Sequence, residues 1–368
     1  MFLLTNDQVA AKDARNIGGK AMGLARLREA GATVPRWTVI GADAFAAHLT
    51  RGDIPELRRV LEATADLADC VGPAERLRQA IVDTAVDPVL AEEVAEVVAH
   101  LDHVAVRSSA LGEDGAKRSY AGIYETYLFR SGADQVLESI RRCWASAFGM
   151  RALHYRRDLD DGALVTDVAV IIQEMVAGDV SGVLFTSNPV TGVPDEAILS
   201  ACWGLGEGVV SGACAVDEFV LTHGGVEVSS TIADKDIEFV RAESGGVVER
   251  PVELGRRLQR CLEPAQATAL VREGVRIAAE LGAPQDIEWT LRGGEIVMLQ
   301  TRPITARPTA PDHAPLGSWR TVWDNSNVQE SFNGVTTALT FSWAAKVYEV
   351  IFREDVTHDR SSRTFGAT

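Results

Sequence analysis

The sequence predicts an α+β fold of two lobes with a cleft between them. Three observations lead there. The first part of the chain is dominated by helical apolar spacing with few strands. The middle changes to short β-rich runs separated by turns. A long helix and a closing hairpin then complete the ordered pattern.

Each element follows from local pattern. Gly18 to Gly31 reads as a helix, because Ala21, Met22, Leu24, Ala25, Leu27 and Ala30 recur at helical spacing and Gly31 is a natural stop. Pro35 precedes a short strand, Trp37 to Ile40. Residues 42–100, rich in Ala, Leu, Glu and Arg, read as several helices. A strand is expected from His103 to Ser108, then a Gly-containing stretch to Gly122 and a helix near 132–157. Strands are expected at 168–175, 182–186, 197–202, 218–221 and 226–232. A helix near 265–281 ends at Gly282, and two strands close the pattern at 287–291 and 295–301. Residues 306–315 (ARPTAPDHAP) hold three prolines and read as a linker. The expected division is residues 1–165 for an N-terminal lobe, 166–305 for a C-terminal lobe, and 306–368 for a linker and the start of a further region.

Composition narrows the function. With 368 residues there is room for two or three domains, and 46% hydrophobic residues supply a core. A net charge of −16 argues against nucleic acid or an anionic membrane as partner. An anionic ligand would need positive charge gathered locally by a few residues. The start, MFLLTNDQVAAKD, lacks a basic leader, and no apolar run approaches the ~18 residues of a membrane span. Cys70, Cys143, Cys202, Cys214 and Cys261 are scattered, with no C-x-x-C spacing. That pattern points to neither a zinc site nor a redox pair and fits a reducing cytoplasm.

Four segments can carry chemistry. Asn16-Ile-Gly-Gly-Lys-Ala-Met-Gly lets backbone approach a phosphate at a helix N-terminus, with Lys20 as a point charge. It also suits a plain Gly-rich helix start. Arg107, at the mouth of an apolar strand and followed by Ser108 and Ser109, suits a phosphate clamp or a surface ion pair. Gln173, Glu174, Met175 and Val176 end a buried strand, where an apolar slot with hydrogen-bonding edges suits adenine; a strand running into a loop is the plainer reading.

The fourth segment is a hairpin, Asp286-Ile-Glu-Trp-Thr-Leu to Glu295-Ile-Val-Met-Leu-Gln-Thr-Arg. A two-residue loop at Gly293-Gly294 would put Glu288 and Gln300 on opposite faces. A three-residue loop, Arg292 to Gly294, would place Ile287, Trp289, Val297 and Leu299 on one face and Asp286, Glu288, Gln300 and Arg302 on the other. The three-residue loop is the expected one, with Gly294 at the left-handed position. It yields a carboxylate and an amide oxygen for Mg²⁺, with an arginine beside them for a phosphate. An ordinary solvated polar face is the alternative.

Taken in order, these segments resemble the ATP-grasp nucleotide-binding domain of the phosphoenolpyruvate synthase, pyruvate phosphate dikinase and rifampicin phosphotransferase group. The resemblance rests on NIGGKAMGLARLREAGATVPRWTVI, VAVRSSALGEDGAKRSYAGIYETYLFR, VIIQEMVAGDVSGVLFTSNPVTG, ACWGLGEGVVSG and DIEWTLRGGEIVMLQTRPIT, which span residues 16 to 305. It implies that Lys20 and Arg107 hold the triphosphate of ATP. It implies that Thr126 and the Ser119–Gly122 turn line the phosphate side, and that Gln173, Glu174, Met175 and Val176 cradle adenine and ribose. Glu288 and Gln300 would ligate magnesium, and Arg302 would stabilise charge during transfer. Glu207 matches a family position without a firm role.

The resemblance also implies a reaction sequence. ATP is split at two bonds, a pyrophosphoryl group passes to a histidine on a separate swivelling domain, and one phosphate is lost to water or inorganic phosphate. The remaining phosphoryl group travels to an acceptor on a third domain. None of the seven histidines, His48, His100, His103, His154, His223, His313 and His358, has the Gly-rich, small-residue context of that carrier. The segment from Asn325 resembles the region after the ATP domain, with Thr337-Ala-Leu-Thr where T-P-L-T is usual. The expectation is therefore an incomplete phosphotransferase, acting with a phosphohistidine carrier domain that lies downstream or on another chain. An ATP-grasp ligase, and a nucleotide-binding regulatory module without catalysis, are the alternatives. Pyruvate and an antibiotic hydroxyl are both open as acceptors.

Overall fold

Two sheets organise the molecule, and the strands of each are apolar where another layer covers them. The computed structural model describes residues 2–304 apart from 6–8, 10–13, 65, 112–124, 158–167, 190 and 244, all within one unit, Met1–Ala310. The chain runs β1 (Leu3–Thr5), α1 (Ala14–Glu29), β2 (Trp37–Ile40), α2 (Ala42–His48), α3 (Ile54–Ala63), α4 (Val71–Asp83), α5 (Pro88–Val98), β3 (Val104–Ala110), β4 (Thr126–Arg130), α6 (Gly132–Ser146), α7 (Met150–Arg157) and β5 (Val168–Glu174). It continues β6 (Val180–Phe185), β7 (Glu196–Trp203), α8 (Glu207–Val210), β8 (Asp217–Thr222), β9 (Glu227–Thr231), β10 (Ile237–Arg241), β11 (Val247–Pro251), α9 (Leu254–Arg257), α10 (Pro264–Leu281), β12 (Gln285–Arg292) and β13 (Glu295–Pro303). The mixed helix-and-sheet class matches the expectation. The expected linker and further region, 306–368, lie outside the described residues.

The first sheet has the order β1-β2-β5-β3-β4. Its central strand, β5, reads VAVIIQE and is buried on both faces up to its last residue. Val168, Val170 and Ile172 join Val104, Val106, Ile140, Trp144 and Phe45 in a core shared with the helical layer. Ala169 and Ile171 join Trp37 and Val39 on the other face, where α1 covers them with Ile17, Ala21, Leu24 and Ala25. A strand covered on both faces needs a continuous apolar run, which this one has. β5 belongs to this sheet, although the sequence reading assigned it to the second lobe. The chain crosses from one sheet to the other between Glu174 and Val180. The helix expected near 132–157 is two helices, parted at Ala147–Gly149.

The second sheet has the order β13-β12-β6-β7-β8-β9, with β10 and β11 as a separate pair. α10 covers one face through Ala267, Leu270, Val271 and Ile277, packed with Leu184, Leu199, Phe219, Ile287 and Trp289. This helix has clear ends. Glu263 and Gln266 form a capping box on either side of Pro264, and Gly282 closes the other end in the left-handed conformation at φ 71°. The far end of α1 reaches this second core through Leu27. The Met298 N–H donates to the Thr33 carbonyl at 2.9 Å, so the chain leaving α1 is tied to β13. Among the described residues no helix is long and apolar enough to cross a membrane.

Candidate functional site

The hairpin of β12 and β13 differs from the expectation in an instructive way. Its turn has two residues, Gly293 and Gly294, with Arg292 opposite Glu295 and Leu291 opposite Ile296. Both glycines have positive φ, 58° and 85°, as a tight primed turn requires. The expected three-residue loop is therefore incorrect. The register then shifts between Trp289 and Glu288: Trp289 faces Met298, while Glu288 faces Gln300. Leu299 is the extra residue of a β-bulge. The bulge brings Glu288 and Gln300 back to one face, with Asp286 opposite Arg302 beyond them. Met298, not Val297 or Leu299, shares the apolar face with Ile287, Trp289 and Leu291.

The first sheet supplies the other half. Arg107 and Gln173 lie on the α1 side of neighbouring strands, with Ile171 opposite Arg107 and Ala105 opposite Gln173. α1 approaches them through Gly18, whose φ is 73° and whose ψ is 174°. A Cβ there would stand 2.2 Å from the Ser109 carbonyl oxygen. The Ser109 hydroxyl donates to the Ile17 carbonyl at 2.7 Å and accepts from the Ala21 N–H at 3.2 Å. These bonds seat the helix on the strand and place Lys20 beside it. Lys20 Nζ donates to the Ser108 carbonyl at 3.2 Å.

Arg107 joins the two sheets. Its Nη2 donates to Glu288 Oε2 at 3.0 Å and to Gln300 Oε1 at 2.5 Å. Its Nη1 donates to Gln173 Oε1 at 3.1 Å and to the Leu299 carbonyl at 3.5 Å. Gln173 Nε2 also donates to the Leu299 carbonyl, at 3.1 Å. The bulge thus turns a backbone oxygen towards the first sheet. Both amides of the group are buried, Gln173 at 3% exposure and Gln300 at 7%. Four of the expected site residues, Arg107, Gln173, Glu288 and Gln300, meet in one network.

The surrounding charges are uneven. Arg302 Nε donates to Asp286 Oδ2 at 2.7 Å. Burial nevertheless raises the Asp286 carboxyl above its usual value, with Arg302 opposing and Glu288 adding to the rise. Glu207 opens α8 and is exposed by surface area. Its carboxyl is raised, first by the protein that crowds it and then by Glu288, against the pull of Arg107. Glu207 therefore senses the same cluster. Glu174 sits apart from it, held by Arg36 through Nε at 3.0 Å and Nη2 at 3.2 Å. That pairing lowers its pKa. The Met175 N–H donates to the His103 carbonyl at 3.0 Å, Val176 is buried, and Thr126 lies opposite Arg107 in register. Ser119 and Gly122 fall outside the described residues.

Residues 14–318 match the pyruvate phosphate dikinase, AMP/ATP-binding domain family. The chain belongs to that family. Among relatives of this dikinase-type domain, a probable phosphoenolpyruvate synthase of Methanothermobacter thermautotrophicus is 33% identical over 85% of this chain and 47% of its own length. A rifampicin phosphotransferase of Streptomyces sviceus is 36% identical over 85% of this chain and 37% of its own. A prodigiosin synthesizing transferase of Serratia marcescens is 34% identical over 89% of this chain and 37% of its own. The chain thus spans less than half the length of these relatives. An L-amino acid ligase of Bacillus licheniformis overlays 59% of this chain and 41% of its own at a TM-score of 0.23 and 12% identity, an overlap that carries no argument.

Sequence reasoning missed the Leu299 carbonyl. Met298 and Leu299 are both apolar, so alternation alone cannot say which of them faces the core. The one available signal was the unequal arm length needed to put Glu288 opposite Gln300. It also left Arg36 unremarked, since nothing local marks an arginine as the partner of a carboxylate 138 residues away.

Proposed function

We propose that this chain is the nucleotide-binding part of a dikinase-type phosphotransferase, with ATP and Mg²⁺ held between the two sheets in an ATP-grasp arrangement. The observation that carries the reading is the meeting of Arg107 and Gln173 from one sheet with Glu288, Gln300 and Leu299 from the other. A guanidinium and hard oxygen ligands placed together suit a metal-bound polyphosphate.

Lys20 and Arg107 would bind the phosphates, the first as a point charge and the second as a fork. Thr126 and the Ser119–Gly122 turn would line the phosphate side. Gln173 to Val176 would hold adenine and ribose, with Arg36 fixing the Glu174 carboxylate. Glu288 and Gln300 fit a magnesium ion, because their oxygens already surround a single nitrogen of Arg107. When bound, magnesium would supply neutralisation of phosphate charge. Arg302, oriented through its Nε by Asp286, would stabilise charge that develops on the transferred group.

The phosphoryl group would pass to a histidine on a carrier domain outside this chain. The relatives share this domain and differ in name, so the final acceptor is expected to be chosen outside residues 14–318. A cytoplasmic location accords with the five free, buried cysteines.

Calorimetric titration with ATP, with and without Mg²⁺, tests the reading. The wild-type chain should bind in the micromolar range and lose its magnesium dependence in Glu288→Ala. Arg302→Ala should still bind ATP yet fail to phosphorylate a carrier-domain histidine supplied in trans. A folded wild-type chain that binds no ATP would overturn the assignment.

A further inference from the structure

Arg107 occupies the place a cation would take between Glu288 and Gln300. Its Nη2 stands 3.0 Å from the Glu288 carboxylate and 2.5 Å from the Gln300 amide oxygen. A second cation could not share those oxygens at metal-ligand distance without displacing the guanidinium. The arginine is also held incompletely. Its Nε is buried with no partner among the described residues, while its two Nη groups serve four oxygens. A guanidinium in that position is drawn readily to a phosphate, which accepts two parallel bonds from its fork.

The protein alone provides few ligands for a metal. Among the described residues no group of three or more His, Cys, Asp or Glu side chains could hold an ion. Octahedral magnesium needs oxygens beyond Glu288 and Gln300, and polyphosphate is a ready source.

We infer that Arg107 is a resident counter-ion. It keeps Glu288 and Gln300 closed to a divalent cation until a polyphosphate draws the guanidinium away. Cation and nucleotide then bind only together, each raising the affinity of the other by the same factor. The inference rests on the reading of Glu288 and Gln300 as cation ligands.

Electron paramagnetic resonance of Mn²⁺ tests it on the full chain, with and without a non-hydrolysable ATP analogue. Binding that persists in Glu288→Gln is subtracted as surface background. The wild type should show no Glu288-dependent Mn²⁺ binding alone and clear binding with the analogue. Arg107→Met should bind Mn²⁺ without nucleotide at least about tenfold more tightly than the wild type, since an unpaired carboxylate then faces the ion. Arg107→Lys keeps the charge but cannot span Gln173 and Gln300 together, and should show a smaller gain. It also serves if the methionine variant fails to fold.

Glu288-dependent Mn²⁺ binding by the wild type alone would overturn the inference. So would folded Arg107 variants that gain nothing. If Mn²⁺ and analogue both bind but independently, only the counter-ion idea falls. If the analogue does not bind at all, the nucleotide reading falls with it.

Discussion

A fully buried ion pair and a half-buried one in this chain are built differently. Lys235 and Asp217 are both fully buried and bonded to each other. Asp217 also accepts the N–H groups of Ala233 and Cys261, at 3.0 and 2.9 Å, and Lys235 donates to the Ala233 carbonyl at 3.0 Å. Those partners fasten the start of β8 to the segments on either side of the β10–β11 pair. Arg107 and Glu288 retain 13% and 25% side-chain exposure, and their partners come from strands of both sheets. The first pair is closed to solvent, and both of its side chains have hydrogen-bond partners besides each other. The second keeps a donor, Arg107 Nε, with no partner among the described residues, and an edge open to solvent. Burial is common to much of both networks; convergence from separate sheets and an unpartnered Arg107 Nε are what set the second apart among the described residues.

The largest test of that contrast removes one partner from the closed pair. Asp217→Ala should cost about 3–5 kcal/mol of stability, because it strands a buried ammonium. Arg107→Met should cost only about 1–2 kcal/mol, since Glu288 can regain water. Urea denaturation of both variants reads the difference, and equal losses would erase the distinction.

A smaller effect is expected at the seat of α1. Gly18→Ala combines a left-handed φ of 73° with a 2.2 Å approach to the Ser109 carbonyl. It should cost about 1–3 kcal/mol and weaken ATP binding through displacement of Lys20. Denaturation and calorimetry on the same sample check both parts. Unchanged ATP affinity would show that the open pair does not depend on this support.

The smallest effect concerns pH and a third buried group. His48 Nε2 lies 3.0 Å from the Ile81 carbonyl, so it carries the proton, and its buried Nδ1 has no partner among the described residues. Burial lowers its pKa below the ordinary 6.5. The unfolded chain therefore takes up a proton first as pH falls. Stability should be full above about pH 6.5 and decline below it, by at most ~1.4 kcal/mol per pH unit from this residue. Comparing urea midpoints of wild type and His48→Gln at pH 7.5 and 5.5 isolates that share. A variant that keeps the full acid sensitivity would count against it.

Much of the fold was legible because its signals are local. The strand Trp37–Ile40 and the helix ending at Gly282 stand where periodicity and a glycine stop put them. β5 was seen as a strand, but its pairing with β2 and β3 was not, since sheet membership is a matter of long-range pairing. β4 was missed behind a Gly-containing stretch. At the site, Arg107, Gln173, Glu288 and Gln300 were all singled out from sequence, yet their mutual bonds were not foreseen. Nothing in the chain's order says that an arginine and a carboxylate 181 residues apart will touch.

A strand presents its side chains in a frame of two, and Leu299 acts on that frame as a single inserted letter. The parity that joins Glu288 to Gln300 needs one odd residue somewhere between them. Here that residue stands in the arm, beside a turn of two glycines. A related hairpin could move it into the turn and straighten the arm, and Gln300 would still lie opposite Glu288. Deleting Leu299 alone would straighten the arm and leave Gln300 opposite Glu288. A residue added between Leu299 and Gln300, with pairing continued from the turn, would be a frameshift in space: Gln300 would come opposite Ile287 and turn towards the apolar core.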